Sequence, residues 1–393
     1  MPLAALLRRS AALWLLPLTV FVVLRINNEQ LVAFPGYAPW AAAQKAYAVV
    51  LLGMVAALAG AAEGSWLRRS GLLRRPATRG PLPRLGTPLL LAWAPTAAAL
   101  VAAVGVVGGL AAWPIWATSV LSLLAWTGVG MALGVALRTA VALPLAVVGA
   151  FFWFAFTPSM EPFWLRQLTG AWTGCCDSGH APSTVAALGV VASSVVLLAA
   201  AGAVLVGRVG ALAHAGLASA AILVVGGVGI AATMSAAAGQ WPVQPRTDEV
   251  RCLDGSPRVC LWPEHAPDGG RIATEIRAVT DRWRTIGVVL PATFSEAAVN
   301  LPQPGLAPLV YDSSASAGRR LEAFAGGLAR KCLPDDSTAV DPFVVQDWLV
   351  AHAGPNDPQL IADQAGLDAF RTHSDAEQLN LINAFLALPW KCS

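Results

Sequence analysis

Charged residues are scarce in this chain, making up 12% of its 393 residues, whereas 56% are hydrophobic. Soluble globular proteins are about one quarter charged, so a single soluble domain is excluded. Intrinsic disorder is excluded as well, because it requires high charge and little apolar content. Lysine is rarer still: Lys45, Lys331 and Lys391 are the only three, and none follows a glycine. A Walker A loop requires that Gly-Lys pair, so we expect no ATP hydrolysis by that mechanism.

Other catalytic motifs are also missing. The chain has no H-E-x-x-H, no G-x-S-x-G and no C-x-x-C motif. Its five histidines show no metal-ligand spacing: His180, His214, His265, His352 and His373. We therefore predict a protein that is not an enzyme, with no catalytic residue, no metal site and no cofactor, and we expect no nucleic-acid partner.

The charges that are present divide the chain in two. Residues 1–236 carry 13 basic and 4 acidic residues, a net charge of +9, and residues 237–393 carry 13 basic and 19 acidic residues, a net charge of −6. Such a change in composition indicates a membrane part followed by a water-soluble part. We predict a transmembrane domain at 1–236, a polar linker at 237–250 and an extracytoplasmic domain at 251–393.

A helix needs about 20 mostly apolar residues to cross the hydrocarbon core of a bilayer. Seven segments are candidates: 10–25, 44–62, 87–112, 116–137, 139–157, 184–206 and 214–236. The first is short and contains Pro17, and its alternative is a signal peptide, since Arg8 and Arg9 precede an apolar run. No small-residue cleavage site follows, so we favour a span. The fold class is then an α-helical polytopic membrane protein with about seven transmembrane helices.

Arginine bias between the loops predicts the orientation. Ten arginines fall on one side if the N-terminus is cytoplasmic, six of them in the loop 63–86, whereas the opposite loops hold only Arg25, Lys45 and Arg166. Seven crossings then place the C-terminal domain outside the plasma membrane. All six cysteines lie in segments that this orientation places outside, which agrees with the oxidising compartments where disulfides persist.

Glycine pairs four residues apart occur at Gly105/Gly109 and Gly130/Gly134. This spacing can allow membrane helices to pack closely. In a chain so rich in alanine and glycine the same spacing also arises by chance, so it identifies no contact by itself.

The C-terminal domain begins with a predicted β-hairpin. Two strand-like runs flank a Gly/Pro turn between Val250 and Trp262, so Cys252 and Cys260 are expected to face each other and form a disulfide. Cys332–Cys392 is then the remaining pair, although four cysteines allow three pairings. The domain is predicted to be mainly helical, of α+β type, and held by these disulfides.

Helical spacing of apolar residues predicts four helices in this domain, over 271–287, around 321–328, over 340–352 and over 359–370. A fifth helix begins at Ser374, since Glu377 three residues later completes a capping box. Val288, Val289 and Leu290 suggest a short strand.

Three local groups of polar residues are candidates for chemistry. Cys175, Cys176, Asp177 and His180 could bind a soft metal, but disulfide-bonded or vicinal cysteines in an outer loop are the interpretation we favour. Glu264 and His265 form a possible outer-domain site, because a carboxylate beside an imidazole can do acid–base work, although a structural turn is the simpler interpretation. Glu296 is a third candidate, with capping of a helix as its alternative.

The basic loop 63–86 interleaves arginines with apolar residues. One interpretation is a determinant of topology that also contacts anionic membrane lipid. The other is an amphipathic cytoplasmic helix that docks a partner. The two are compatible.

At the end of span two the chain reads Ala61-Ala62-Glu63-Gly64, followed by the basic stretch 66–74 and Pro76-Ala77-Thr78-Arg79. This pattern resembles actinobacterial ABC transporter permeases of the type-2 exporter class. A second stretch, Val259-Cys260-Leu261-Trp262-Pro263-Glu264-His265, is similar to a cysteine hairpin in the outer tails of a subset of related proteins.

This resemblance implies a separate ABC ATPase subunit that contacts the segment after span two. It transfers that coupling role to Glu63, Trp66, Arg68, Arg69, Leu72, Leu73 and Arg74. A second permease copy, identical or different, is a further expected partner. The chain departs from the common six-span pattern by a seventh span and by its outer domain.

Three functions are therefore open. The leading hypothesis is the membrane, permease-like subunit of an ABC-type exporter complex. The alternative is a non-transporting receptor or assembly protein whose outer domain binds a ligand or partner. The third is a membrane-anchored enzyme that uses Glu264 and His265.

Overall fold

The computed structural model describes residues 10–28, 37–71, 81–161, 163–173, 175–176, 179–210, 215–236, 243–299, 306–311, 315–329, 340–353, 361 and 363–388. The chain divides into two compact units. The first holds the N-terminal helices. The second holds the residues from Pro245 onward together with Tyr37, Gly179 and His180, so it is discontinuous along the chain.

The first unit is built from eight α-helices in its described part. They are α1 (Ala11–Asn28), α2 (Ala38–Ala46), α3 (Val49–Arg69), α4 (Pro81–Gly108), α5 (Trp113–Ala136), α6 (Thr139–Phe151), α7 (Thr184–Gly210) and α8 (Ala215–Ala236).

Among the described residues, six helical stretches are long and apolar enough to cross a membrane: Val49–Arg69, Leu85–Val104, Leu110–Ala136, Thr139–Ser159, Thr184–Gly207 and Gly216–Met234. The apolar part of α1, Leu13–Arg25, is shorter. The prediction of a mostly helical protein with membrane-type helices is therefore confirmed, whereas the seventh span and the sidedness stay predictions.

The second predicted span, 44–62, differs from the helix observed. A turn at Tyr47 and Ala48 separates α2 from α3, and α3 continues to Arg69. Arg68 and Arg69 occupy the last turn of α3, where the helix dipole favours positive charge. The predicted basic loop is therefore shorter at its start than the composition suggested, because its first seven residues belong to the helix.

Glycines bring α3 and α5 into direct backbone contact. A Cβ atom added at Gly60 would lie 2.1 Å from the Thr127 carbonyl oxygen, and one at Gly64 would lie 2.1 Å from the Met131 carbonyl oxygen. The reverse holds for Gly130 and Gly134 against backbone oxygens of α3. Only glycine fits such positions, so the predicted pair Gly130/Gly134 meets a matching pair, Gly60/Gly64, on the facing helix.

A 3₁₀ helix (Phe163–Leu168) leads into irregular backbone in this unit, and residues 168–172 are buried. Three of their carbonyls receive hydroxyl donors: Leu168 O from Ser193 (2.9 Å), Thr169 O from Ser122 (2.9 Å) and Gly170 O from Ser119 (2.6 Å). Irregular backbone is tolerated away from water only when such partners satisfy it. These serines in α5 and α7 therefore serve the fold of this segment.

The described strands form two small sheets. β1 (His180–Pro182) pairs with β2 (Val243–Pro245). The second sheet has the order β3 (Arg251–Leu253), β4 (Arg258–Leu261), β5 (Thr293–Ser295) and β6 (Leu306–Pro308). β3 and β4 form the predicted antiparallel hairpin, with Cys252 opposite Cys260, and the other two pairings are parallel.

The described part of the second unit holds five α-helices: α9 (Gly269–Thr285), α10 (Ala317–Ala329), α11 (Pro342–Ala353), α12 (Gln364–Phe370) and α13 (Asp375–Ala387). The first four overlap the helices predicted from apolar spacing, and α13 is the one predicted from its capping box. The capping box of α13 is confirmed, with Ser374 and Glu377 bonded to each other's backbone. The core joins sheet and helices through Leu261, Ile276, Trp283, Phe294 and Phe324, all at most 2% exposed.

The strand predicted at Val288–Leu290 is wrong. Val289 N–H donates to the Asn383 side chain of α13 at 2.8 Å, and the strand follows at Thr293, where the backbone pairs with β4 and β6. The Cys252–Cys260 disulfide is present, whereas the predicted Cys332–Cys392 pair lies outside the described residues.

Candidate functional site

The end of α3 holds the first residues that the resemblance assigned to ATPase coupling. Glu63 is buried, at 7% exposure, and its carboxylate accepts a hydrogen bond from the Ala11 backbone N–H at 2.9 Å. A carboxylate at a helix N-terminus is favoured by the helix dipole. Glu63 therefore anchors the start of α1 within the first unit rather than presenting its charge on a surface.

Arg68 ties this helix end to the turn between α5 and α6. Its guanidinium donates to the Leu137 carbonyl and to the Thr139 hydroxyl. Leu67 is buried and Trp66 half-buried, whereas Arg69 is exposed. Of the candidate coupling residues, Leu72, Leu73 and Arg74 lie outside the described part of the chain.

The two cysteines predicted in an outer loop are bonded to each other. Cys175 and Cys176 form a disulfide between neighbouring residues, and both side chains are buried. This bond agrees with the disulfide interpretation of the loop, whereas Asp177, which was grouped with these cysteines, lies outside the described residues.

A buried arginine organises a polar cluster in the second unit. Arg246 is 4% exposed and bonds both Glu264 oxygens, at 2.7 and 3.2 Å, as well as one oxygen of Asp248 at 2.8 and 3.0 Å. Its guanidinium carbon lies 4.0 Å from the ring centroids of both Tyr37 and Trp262. Arg246 thus combines a bidentate ion pair with a double cation–π contact.

The surroundings of Arg246 favour its protonated, positively charged form. Burial by itself lowers the pKa of Arg246, but the hydrogen bonds and negative charges of Glu264 and Asp248 outweigh it, so the pKa is raised. The cluster joins segments that are distant in the chain. The backbone N–H of Arg246 donates to the Gly179 carbonyl at 2.9 Å, and the Tyr37 hydroxyl donates to the His180 carbonyl at 3.0 Å.

The predicted linker 237–250 therefore contains strand β2 and this buried arginine, while its residues 237–242 lie outside the described chain.

His265 and Glu264, proposed together as an outer-domain site, face different partners. Glu264 holds Arg246, whereas the His265 Nδ1 lies 2.7 Å from the Glu296 carboxylate. The second oxygen of Glu296 accepts the Trp262 backbone N–H at 2.6 Å. Both members of the His265–Glu296 pair are at most 4% exposed. The pair connects the turn that follows β4 to the short 3₁₀ helix Glu296–Val299 that follows β5.

A cleft lies between α9 and α10 in the second unit. Its volume is about 340 Å³, and Ile276, Leu321 and Phe324 give it an apolar floor. Arg282, at its rim, donates to the Ala353 carbonyl and is otherwise exposed. Ligand sites are typically apolar clefts of this size with a few fixed polar groups.

The polar groups of the cleft form one network. Arg320 binds both Glu275 oxygens, at 2.9 and 3.0 Å, and the Tyr311 hydroxyl donates to Glu275 at 2.8 Å while accepting from Arg271 at 3.1 Å. Burial and the bond to Glu275 raise the pKa of Tyr311 to about 12, so it stays protonated. Burial raises the pKa of Glu275, but bonds from Tyr311 and Arg320 outweigh that effect and lower it.

Sequence patterns singled out Glu264 of the Arg246 cluster but not Arg246 itself, and they singled out no member of the cleft network. Arg246 is the first charge after a long uncharged stretch, and its nearness to Asp248 is the one local signal of its role. The members of the cleft network, in contrast, come from three separate elements, so no spacing in the sequence connects them.

Comparison with known proteins places a family match on the second unit. Residues 259–382 match the model of a domain of unknown function, DUF7224. The match runs from β4 into α13 and includes His265, Glu296 and the cleft, but not Cys252 or Arg246. No curated protein and no solved structure matches the chain.

Proposed function

We propose that this chain is the membrane, permease-like subunit of an ABC-type exporter complex. ATP is hydrolysed by a separate subunit that docks at the basic end of α3, and a second permease copy completes the membrane part. The proposal starts from the resemblance at residues 61–79.

Supporting it is the way in which the end of α3 is connected. Arg68 binds the α5–α6 turn, Glu63 binds the start of α1, and the glycine contact joins α3 to α5 along its length. A force on the exposed end at Arg69 therefore reaches three other helices through direct contacts. A coupling element between an ATPase and a helix bundle needs this property.

The Arg246 cluster supports the proposed sidedness. Tyr37, Gly179 and Arg246 belong to the three segments predicted outside, before α2, before α7 and after α8, and they contact one another. Segments in contact lie on one side of a membrane, so an even number of crossings between these segments agrees with this cluster, and a single crossing before Tyr37 is part of the proposal. The outer location of the second unit rests further on its disulfide.

Affinity purification from membranes tests the proposal. The tagged chain should recover an ABC ATPase, and Arg69→Glu should reduce the recovery at least fivefold, because it reverses an exposed charge at the docking end. Arg138→Glu is the matched control, since Arg138 is also exposed and basic but begins α6.

Recovery of the chain without any ATPase would contradict the proposal. An equal loss in Arg69→Glu and Arg138→Glu would contradict docking at α3 in particular, because both variants change the membrane-proximal charge by the same amount.

A second candidate function is a receptor whose outer unit binds a ligand. The observation that favours it is the cleft between α9 and α10, which combines an apolar floor with a held network of Glu275, Tyr311 and Arg320. In that case the chain senses a ligand outside the membrane and needs no ATPase.

A further inference from the structure

We infer that the α9–α10 cleft binds a small organic anion with an apolar body, such as an aryl or alkyl carboxylate. This inference rests on the second candidate function, the ligand-binding outer unit, and specifies what that unit binds. It is independent of whether an ATPase docks at α3.

The shape and the apolar floor of the cleft indicate a ligand with an apolar body. Its volume of about 340 Å³ lies at the lower end of the range of about 300–1,000 Å³ typical of small-molecule sites. Ile276 and Phe324 are at most 2% exposed and belong to the domain core, so the floor is rigid. Phe324 is further held by stacking on Trp283, with ring centroids 5.4 Å apart. A ligand of one ring or a short chain fits this space.

The charges of the side chains that line the cleft indicate a ligand with an anionic group. Two arginines, Arg282 and Arg320, line it, whereas Glu275 is the one lining carboxylate among the described residues. Glu275 is already satisfied by Arg320 and Tyr311. A cationic ligand would have to displace those bonds, whereas an anion meets the remaining positive charge.

Arg282 is the residue we assign to the anionic group. Its contact in the described structure is the Ala353 carbonyl, and no acidic side chain among the described residues forms an ion pair with it. An exposed guanidinium beside an apolar floor can form a charge-assisted hydrogen bond with a carboxylate while the body of the ligand contacts the part-exposed Val279 side chain.

Calorimetric titration of the full chain in lipid nanodiscs tests the inference, with empty nanodiscs as the blank. Three probes share one body and differ in their end group: 4-phenylbutyrate, 4-phenylbutylamine and 4-phenyl-1-butanol. The acid should bind saturably and at least tenfold more tightly than the amine or the alcohol. Arg282→Gln should weaken the acid at least tenfold, and Val279→Trp, which fills the cleft, should abolish its binding.

Arg284→Gln is the matched control, because Arg284 lies on the same helix but pairs with Asp281 and does not line the cleft. Equal binding of acid and amine would overturn the anionic class while leaving a ligand-binding unit. Binding of none of the three probes would overturn both. A loss in Arg284→Gln as large as in Arg282→Gln would overturn the assignment to Arg282.

Discussion

The glycine contact between α3 and α5 makes a quantitative prediction about the helix bundle. Gly60→Ala places a methyl carbon 2.1 Å from the Thr127 carbonyl oxygen, whereas ordinary contact begins at 3.4 Å. The two helices must therefore separate locally by about 1.3 Å. A gap of that size costs a contact about half or more of its dispersion energy.

The magnitude follows from the number of contacts affected. If about 20 atom pairs each lose half of about 0.15 kcal/mol, the loss is about 1.5 kcal/mol. This value lies within the range of about 1–3 kcal/mol that overpacking typically costs. Gly130→Ala faces the Ala57 carbonyl at the same 2.1 Å and should cost about as much. The double variant should cost less than the sum, since helices already separated accept the second methyl group more easily.

Denaturation of the purified chain in mixed micelles, followed by far-UV circular dichroism, measures these changes. Gly227→Ala in α8 is the matched control, because nothing lies within 4 Å of a Cβ at that position. Its stability should equal or slightly exceed that of the parent, as alanine is the better helix former. Gly60→Ala with the stability of Gly227→Ala would refute the direct backbone contact.

Three further predictions concern the second unit. Arg246→Met should lower the free energy of unfolding by about 3 kcal/mol, the lower end of the range for breaking a buried ion pair, because it leaves the Glu264 carboxylate, 15% exposed, without its cation. Glu264→Gln added to it should recover part of this loss in urea denaturation, and strict additivity of the two changes would contradict the ion pair. The lowered pKa of Glu275 means that the unfolded chain binds more protons, so stability should fall as pH drops from the ordinary glutamate pKa through the lower folded value, and Glu275→Gln should flatten this dependence in acid titrations followed by tryptophan fluorescence. Ser374→Ala should lower stability by about 1 kcal/mol because it removes the capping box, whereas no change in the urea midpoint would contradict it.

Local sequence patterns predicted most of the helices and the hairpin. The stripe through Ile272 and Ile276 belongs to α9, Cys252 pairs with Cys260, and Ser374 caps α13, because each depends on residues close in sequence. The prediction of a strand at Val288–Leu290 is wrong because it also used only residues that are close in sequence. The β-branched residues of this run favour a strand, but the residues that pair with β4 and β6 are Thr293–Ser295.

Long-range contacts were beyond these patterns. Arg246 reads as an ordinary linker charge, and its burial depends on Tyr37 and Trp262, which come from other segments. Glu264 and His265 are adjacent in sequence, yet successive residues in a turn point apart, so one meets Arg246 and the other meets Glu296. The spacing of Gly130 and Gly134 was visible, but the facing pair on α3 emerges only from the packing.

The side of the membrane on which each part lies tests the proposed exporter function most directly. That function requires the end of α3 in the cytoplasm and the second unit outside it. Reporter fusions measure these locations: alkaline phosphatase is active only outside the cytoplasm, and green fluorescent protein exported in unfolded form fluoresces only inside. After the C-terminus, phosphatase should be active and the fluorescent protein dark, and insertions at Gly71 should give the reverse. A fluorescent C-terminal fusion, or the same result at both positions, would contradict the account.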